Sequence, residues 1–291
     1  MSAIFTALIP QVDISDALDS WVKDTFRPAF SLLWDAIKLV VETLVDWIEG
    51  ALTWPPEIVV ILVFAALAWV AARWWLALFT VVAFSAIASA GLFDGTMRAL
   101  ALVLVAAFFA VLFGIPIGIV TSRSERISAL VRPVLDFMQT MPAFVYLLIA
   151  LILFSIGFTA GVVAAFIFSM PPAVRLTELG IRQVDEEVVE AARAFGATDR
   201  EVLFQVQLPL ARPTIMAGVN QVIMLSLSMV VIAGLAGAGG VAAEIVAGVT
   251  RLDVGRGLLA GLAIVILAIF LDRVTAAFGS GAAQSLKAGT A

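Results

Sequence analysis

From Ala99 to Val120 the chain carries no charged side chain, and the same holds for Ile58–Ala72, Met138–Val174, Pro213–Ala243 and Gly257–Leu271. Uncharged runs near twenty residues match a hydrocarbon core of about 30 Å. In that medium each backbone N–H and C=O must be satisfied within the protein, which leaves helices or a closed barrel. The runs are continuously apolar instead of alternating, so they specify helices. Composition agrees: 63% of residues are hydrophobic and 13% charged, against about 45–50% and 25% in a soluble domain. His and Cys are absent. That inventory excludes imidazole–metal sites, Cys–His and Ser–His catalysis, thiolate chemistry and disulfides. A net charge of −5 gives no basic footprint for nucleic acid.

Seven apolar segments count as spans: Glu57–Ala72, Trp74–Ala90, Met97–Val120, two within Met138–Met170 that part near Ser155–Gly161, Thr214–Leu235 and Leu258–Leu271. The expected fold class is an all-α polytopic membrane protein with about seven transmembrane helices. Arg73, flanked by Trp69, Trp74 and Trp75, marks a membrane–water interface between the first two. Burying it inside one long helix would cost about 2.5–3.5 kcal/mol, so two spans are favoured. Pro116 predicts a kink in the third span. Gly114 and Gly118 permit close approach of a neighbouring helix. Thr121–Arg126 reads as a basic loop, and Ala236–Gly257 as apolar but irregular.

The first 56 residues differ in kind. Acids dominate, and residues 30–51 form an amphipathic helix. Asp35, Lys38, Glu42, Asp46 and Glu49 share one face, with Leu33, Ile37, Val41, Leu44 and Ile48 on another. Such a helix lies on a membrane surface or packs on a neighbour. Met1–Gln11 has no basic residue ahead of its apolar run and does not read as a signal peptide. Ser2, where myristoylation requires glycine, gives no lipidation motif. The organisation expected is an extracytoplasmic region 1–56, a transmembrane domain 57–279 and a cytoplasmic tail 280–291. With the N-terminus outside and the C-terminus inside, eleven of the 17 Lys and Arg residues fall on the inner side. That bias sets the orientation and places the polar loop 171–213 in the cytoplasm.

Within that loop, Asp185–Phe195 predicts a helix with acids in its first turn, where the dipole favours them. Gly196 suits the left-handed residue that ends it. Thr198 or Asp199 can cap a second helix, which Pro209 stops. Ala191, Ala192 and Phe195 make an apolar knob on a charged hairpin. Either a docking surface for a soluble partner or a solvated connection fits this pattern.

Glu190-Ala-Ala, then Gly196, Val206 and Leu208-Pro209, resembles the EAA motif of ATP-binding-cassette importer permeases, with Val206 where isoleucine is commoner. Pro133–Tyr146, Pro171–Val184, Ile232–Gly240 and Arg251–Gly255 resemble the glycine betaine/L-proline (quaternary amine) branch of that family. The resemblance spans roughly Leu92–Gly279. It implies a type I importer permease fold in the cytoplasmic (inner) membrane, acting as a homodimer surrounded by membrane lipid. Two ATP-binding subunits would carry ATP and Mg, and an extracytoplasmic substrate-binding protein would deliver the osmolyte. This chain would hold no cofactor of its own, and it lacks the Gly-x4-Gly-Lys-Ser/Thr phosphate loop. Carried onto these positions, the motif assigns coupling to the ATPase to Glu190, Ala191, Ala192, Phe195, Gly196, Ala197, Thr198, Leu208 and Pro209.

For the pathway, Ala217, Asn220, Gln221, Met224 and Ser228 share a helix face as a mixed polar stripe. Polar side chains in a span turn to a pathway or to neighbouring helices, and both readings stand. An aromatic cage for a quaternary ammonium relies on cation–π contact. No Trp follows Trp75 and Tyr146 is the only Tyr, so the tight site belongs on the binding protein. Phe137, Phe144 and Tyr146 are candidates for wall or gate residues. Gly234, Gly237, Gly239 and Gly240 form an outer turn or gate. Alternatives are a permease for another small amine or amino acid, a self-sufficient secondary transporter, and a membrane scaffold. The secondary transporter would require intramembrane carboxylates and inverted repeats.

Overall fold

A computed structural model describes residues 20–71 and 73–288. The expectations for residues 1–19, and for 289–291 of the tail, lie outside the described residues. After a short helical lead-in, Trp21–Ala29, the helices are α1 (Ser31–Thr53), α2 (Glu57–Ala71), α3 (Trp74–Ser89), α4 (Phe93–Arg123), α5 (Glu125–Thr140), α6 (Ala143–Phe154), α7 (Phe158–Arg182), α8 (Glu186–Ala194), α9 (Leu208–Ala233), α10 (Gly240–Thr250) and α11 (Val254–Ala288).

All seven apolar segments are helical, but they differ in reach. Four helices are long and apolar enough to cross a membrane: Phe93–Arg123, Phe158–Arg182, Asp199–Ala236 and Val254–Ala277. Counting each bent pair as one crossing raises this to six; α1 meets α2 at 99° and α5 meets α6 at 97°. The difference from seven is one of length. At 1.5 Å per residue, α2, α3 and α6 rise about 18–24 Å, short of a ~30 Å core.

The centre is α7, packed along both α4 and α9. Small residues make this possible. A Cβ on Gly114 would sit 2.6 Å from the Ala173 Cβ, and one on Gly118 would sit 2.6 Å from the Val174 carbonyl oxygen. Backbones can approach closely only where the side chain is missing. Ser226 of α9 donates to Ser169 of α7 at 2.9 Å, a polar bridge inside the bundle. Around this centre, Phe64 of α2, Phe84 of α3 and Phe270 of α11 form an aromatic trio with centroids 5.1–5.5 Å apart.

Several expectations need correction. Only Ser124 separates α4 from α5, so the expected basic loop is helical. Pro171 and Pro172 do not end a span. Both are buried within α7, which runs on to Arg182, so the polar connection begins there instead of at 171. Neighbouring helices on both sides hold a proline-containing helix that would break in water. Pro209 likewise starts α9 instead of stopping a helix. The wide turn Val202–Gln207 before it, with Leu208 N–H on the Leu203 carbonyl, has already shifted the ladder. Part of the segment called irregular is the helix α10.

The amphipathic helix is present as α1 and packs on a neighbour, with Ile37, Val41, Leu44, Val45 and Ile48 against the bundle. Leu32, Leu39 and Trp47 are exposed, while Val41 and Val45 are buried against the bundle. Glu42 accepts from Thr159 at 3.2 Å and Glu49 pairs with Arg98 at 3.3 Å. Two members of the charged face thus reach bundle residues while Asp35, Lys38 and Asp46 stay exposed, and Leu32, Leu39 and Trp47 face outward, as lipid contact favours.

Candidate functional site

The two ends of the bundle are chemically distinct. One carries the hairpin 185–209 together with Arg123, Arg132, Arg175, Arg182, Arg193 and Arg200. The other carries the Ser155–Gly157 break, the glycine turn and Arg98. There Gly157 N–H donates to the Ala236 carbonyl at 2.9 Å, and Gly237, Gly239 and Gly240 all have positive φ. Arg98 donates to the Ala238 carbonyl at 3.0 Å and lies over the Phe158 ring.

At the charged end, Asp185 caps α8 by accepting from Glu187 N–H at 3.0 Å. Glu186 and Glu187 occupy its first turn and Arg193 its last, each matched to the helix dipole. Gly196 takes φ +88°. Its N–H bonds the Arg193 carbonyl at 2.9 Å, and Ala197 N–H reaches the Ala192 carbonyl at 3.1 Å, a paired C-terminal cap that needs the left-handed residue. Thr198 then opens the next helix with a capping box. Its hydroxyl accepts from Glu201 N–H, and the Glu201 carboxylate accepts from Thr198 N–H at 2.8 Å. The Thr198 backbone N–H and then its hydroxyl hold the Glu201 carboxyl below its usual range. Arg193 pairs with Asp199 across the turn at 3.1 Å, and Arg123 of α4 donates to the Asp199 carbonyl at 3.0 Å.

This hairpin is rigid because every turn of it is tied. It rests on a small core of Ile181, Leu203 and Ala211, with Leu208 packed against it. Phe195 is 94% exposed at its tip, and Glu190, Ala191 and Thr198 are also exposed. Ala192 and Ala197 are half-buried, and Pro209 is exposed at the start of α9. The knob is thus Phe195 with Ala191, ringed by Glu190, Arg193 and Glu186. An uncovered phenylalanine on a rigid, charged platform is a surface shaped for a protein partner.

The proposed pathway residues do not all share one environment. Ala217, Gln221 and Ser228 are exposed and Met224 is half-buried, so this stripe faces away from the chain's own core. Asn220 leaves it. Its amide donates to Asp272 of α11 at 2.8 Å and its carbonyl accepts from Thr275 at 2.7 Å. Tyr146 is buried with its hydroxyl donating to the Met138 carbonyl, whereas Phe137 and Phe144 are exposed.

Sequence reasoning missed two clusters. Ending the last span at Leu271 put Asp272 outside it, yet α11 continues and Asp272 answers Asn220; a search for a partner to that intramembrane amide would have found it. Glu178 of α7, 5% exposed, accepts from Ser128 at 2.7 Å and meets Arg132 at 3.0 Å and Arg182 at 3.1 Å. The signal was Arg175, Glu178 and Arg182 at helical spacing.

Residues 110–283 match the family model described as binding-protein-dependent transport system inner membrane component. The chain belongs to that family. The glycine betaine transport system permease protein of Bacillus subtilis is 48% identical over 267 residues, 92% of this chain and 93% of the relative. The glycine betaine/proline betaine transport system permease protein of Escherichia coli is 46% identical, over 91% of this chain and 74% of the relative. The glycine betaine/carnitine transport permease protein of Listeria monocytogenes is 43% identical, over 94% and 98%. A chain of the MetNI methionine transporter, in an inward-facing conformation, shares the fold with a TM-score of 0.60 at 20% identity, over 66% of this chain and 95% of that one. The permease is therefore a multi-pass inner-membrane subunit of an ATP-binding-cassette importer. Its role is transport, and nucleotide hydrolysis belongs to a separate ATPase.

Proposed function

We propose that this permease translocates glycine betaine and related quaternary-amine osmolytes, with proline betaine, choline, carnitine and proline in the same range. The observation that carries the reading is identity of 43–48% along nearly the whole chain to three permeases named for glycine betaine. Two copies form the pathway, with two ATPase subunits on the hairpin side, carrying ATP and Mg, and a binding protein on the other. The hairpin side is cytoplasmic, because Arg123, Arg132, Arg175, Arg182, Arg193 and Arg200 gather there and basic residues accumulate inside. That places the region 20–56 and the glycine turn outside and the C-terminal end inside.

Glu190, Ala191, Phe195 and Thr198 meet the ATPase. Ala192, Gly196, Ala197, Leu208 and Pro209 fix the angle at which they are presented. Ala217, Gln221, Met224 and Ser228, with Phe137 and Phe144, face the pathway or the second copy; Asn220 and Tyr146 hold the helices behind them. Closure of the ATPases on ATP would press the two hairpins together and re-aim α7 and α9. The test is ATP-driven uptake of radiolabelled glycine betaine into liposomes holding permease, ATPase and binding protein. Uptake chased by excess proline betaine or carnitine supports the assignment. Uptake of an unrelated amino acid alone, untouched by betaines, rejects it.

A further inference from the structure

Two recesses lie side by side where α1 crosses the bundle. The first, about 390 Å³, is lined by Arg27, Ser31, Asp35, Lys38 and Ser155 together with Trp34. The second, about 710 Å³, has only apolar and aromatic walls, including Ile37 of α1, Phe109 and Phe113 of α4, and Phe166 and Met170 of α7. They share Trp34, Leu153 and Phe154, so the two adjoin.

The polar recess is cationic on balance, with Arg27 and Lys38 against Asp35. Arg27 donates one N–H to Ser155 Oγ at 2.9 Å, its one hydrogen bond to a side chain among the described residues. Lys38 is half exposed, 3.8 Å from Glu42. The apolar groove follows α7 from Val162 to Met170, a rise of about 12 Å at 1.5 Å per residue, close to half of a ~30 Å hydrocarbon core. A cationic polar recess beside a leaflet-deep apolar slot thus matches the head and the acyl chain of a membrane lipid.

We propose that this composite groove holds one phospholipid of the leaflet on the glycine-turn side. The phosphodiester sits between Arg27 and Lys38, and acyl chain lies along Phe109, Phe113 and Phe166. A strand of peptide fits poorly, because walls without polar atoms leave its N–H and C=O groups unsatisfied. An apolar helix satisfies its own backbone but brings no anion to Arg27 and Lys38. A lipid bound here bridges α1 to α4 and α7, tying the outer helix to the two helices at the centre of the bundle.

The experiment uses the full chain in nanodiscs containing phosphatidylglycerol with a diazirine in one acyl chain. Photolysis should place crosslinks on Phe109–Ile117 and Val162–Met170, and native mass spectra after detergent exchange should retain one phospholipid per chain. Ala36→Trp, which fills the groove from the exposed side of α1, should cut retained lipid about tenfold. Arg27→Ala with Lys38→Ala should do the same. The map is read on the unaltered chain, so it decides even where a variant misfolds. Crosslinks spread evenly over α2 and α3, or retention unchanged by Ala36→Trp, overturn the proposal. Labelling of the groove that appears only after deletion of residues 1–19 also overturns it and gives the groove to that segment.

Discussion

Gly196 sits at φ +88° with open space where a Cβ would go, so the obstacle to substitution there is backbone strain and not crowding. A β-branched residue resists that region at a cost of about 1–3 kcal/mol. Gly196→Val should therefore loosen the hairpin and weaken ATPase capture from detergent extracts, while the membrane bundle keeps its melting temperature. Glu201 offers a pH test. Its carboxyl is held low by Thr198, and a depressed carboxyl contributes stability above its unfolded pKa that is lost as pH falls through the folded one. Exchange of the Thr198 amide, corrected for intrinsic rate, should lose protection on acidification through the carboxylate range. Glu201→Ala should show fast exchange already at neutral pH, and a pH-independent wild-type amide would contradict the role of the box.

Among the elements, α7 bears the most demands, since it packs on both α4 and α9 and leads into the hairpin. Gly118→Val should push α4 from Val174 and Thr177; overpacking of a tight contact costs about 1–3 kcal/mol, read as a lower melting temperature. Glu178→Gln removes the one buried charge that gathers Ser128, Arg132 and Arg182. Arg132 is 57% exposed and can return to water, so the expected loss is about 1–3 kcal/mol instead of the larger figure for a fully buried pair. Element identity was largely legible in the sequence, because long uncharged runs have only helical solutions in lipid. Boundaries at Pro171-Pro172 and Pro209 were not, because proline's effect depends on whether neighbours and a widened turn absorb the missing bonds. The hairpin was legible to the level of Asp185, Gly196 and Thr198, since caps are local chemistry. Asp272 and Thr275 as partners of Asn220, and Ser128 and Arg132 as partners of Glu178, were hidden, because they come from helices 52–55 and 46–50 residues away in sequence.

For the whole molecule, topology and coupling are the claims to test. Single cysteines at Arg200 and at Asp253, in a chain with none of its own, should react with an impermeant maleimide from opposite sides: Arg200→Cys only from inside and Asp253→Cys only from outside. The reverse pattern would invert the proposed orientation. Coupling is the more direct test of the account, because it requires the hairpin, the fold and a separate ATPase at once. Glu190 is exposed, so Glu190→Ala leaves no cavity and should insert and fold as the parent does. Truncating one side of a charge pair buried in an interface costs about 2–5 kcal/mol. The measurement is substrate-stimulated ATP hydrolysis in liposomes holding permease, ATPase and binding protein. The account predicts a fall of about tenfold or more for Glu190→Ala and for Phe195→Ala, with both chains stably folded in the membrane. Parental hydrolysis and uptake in both variants would contradict it.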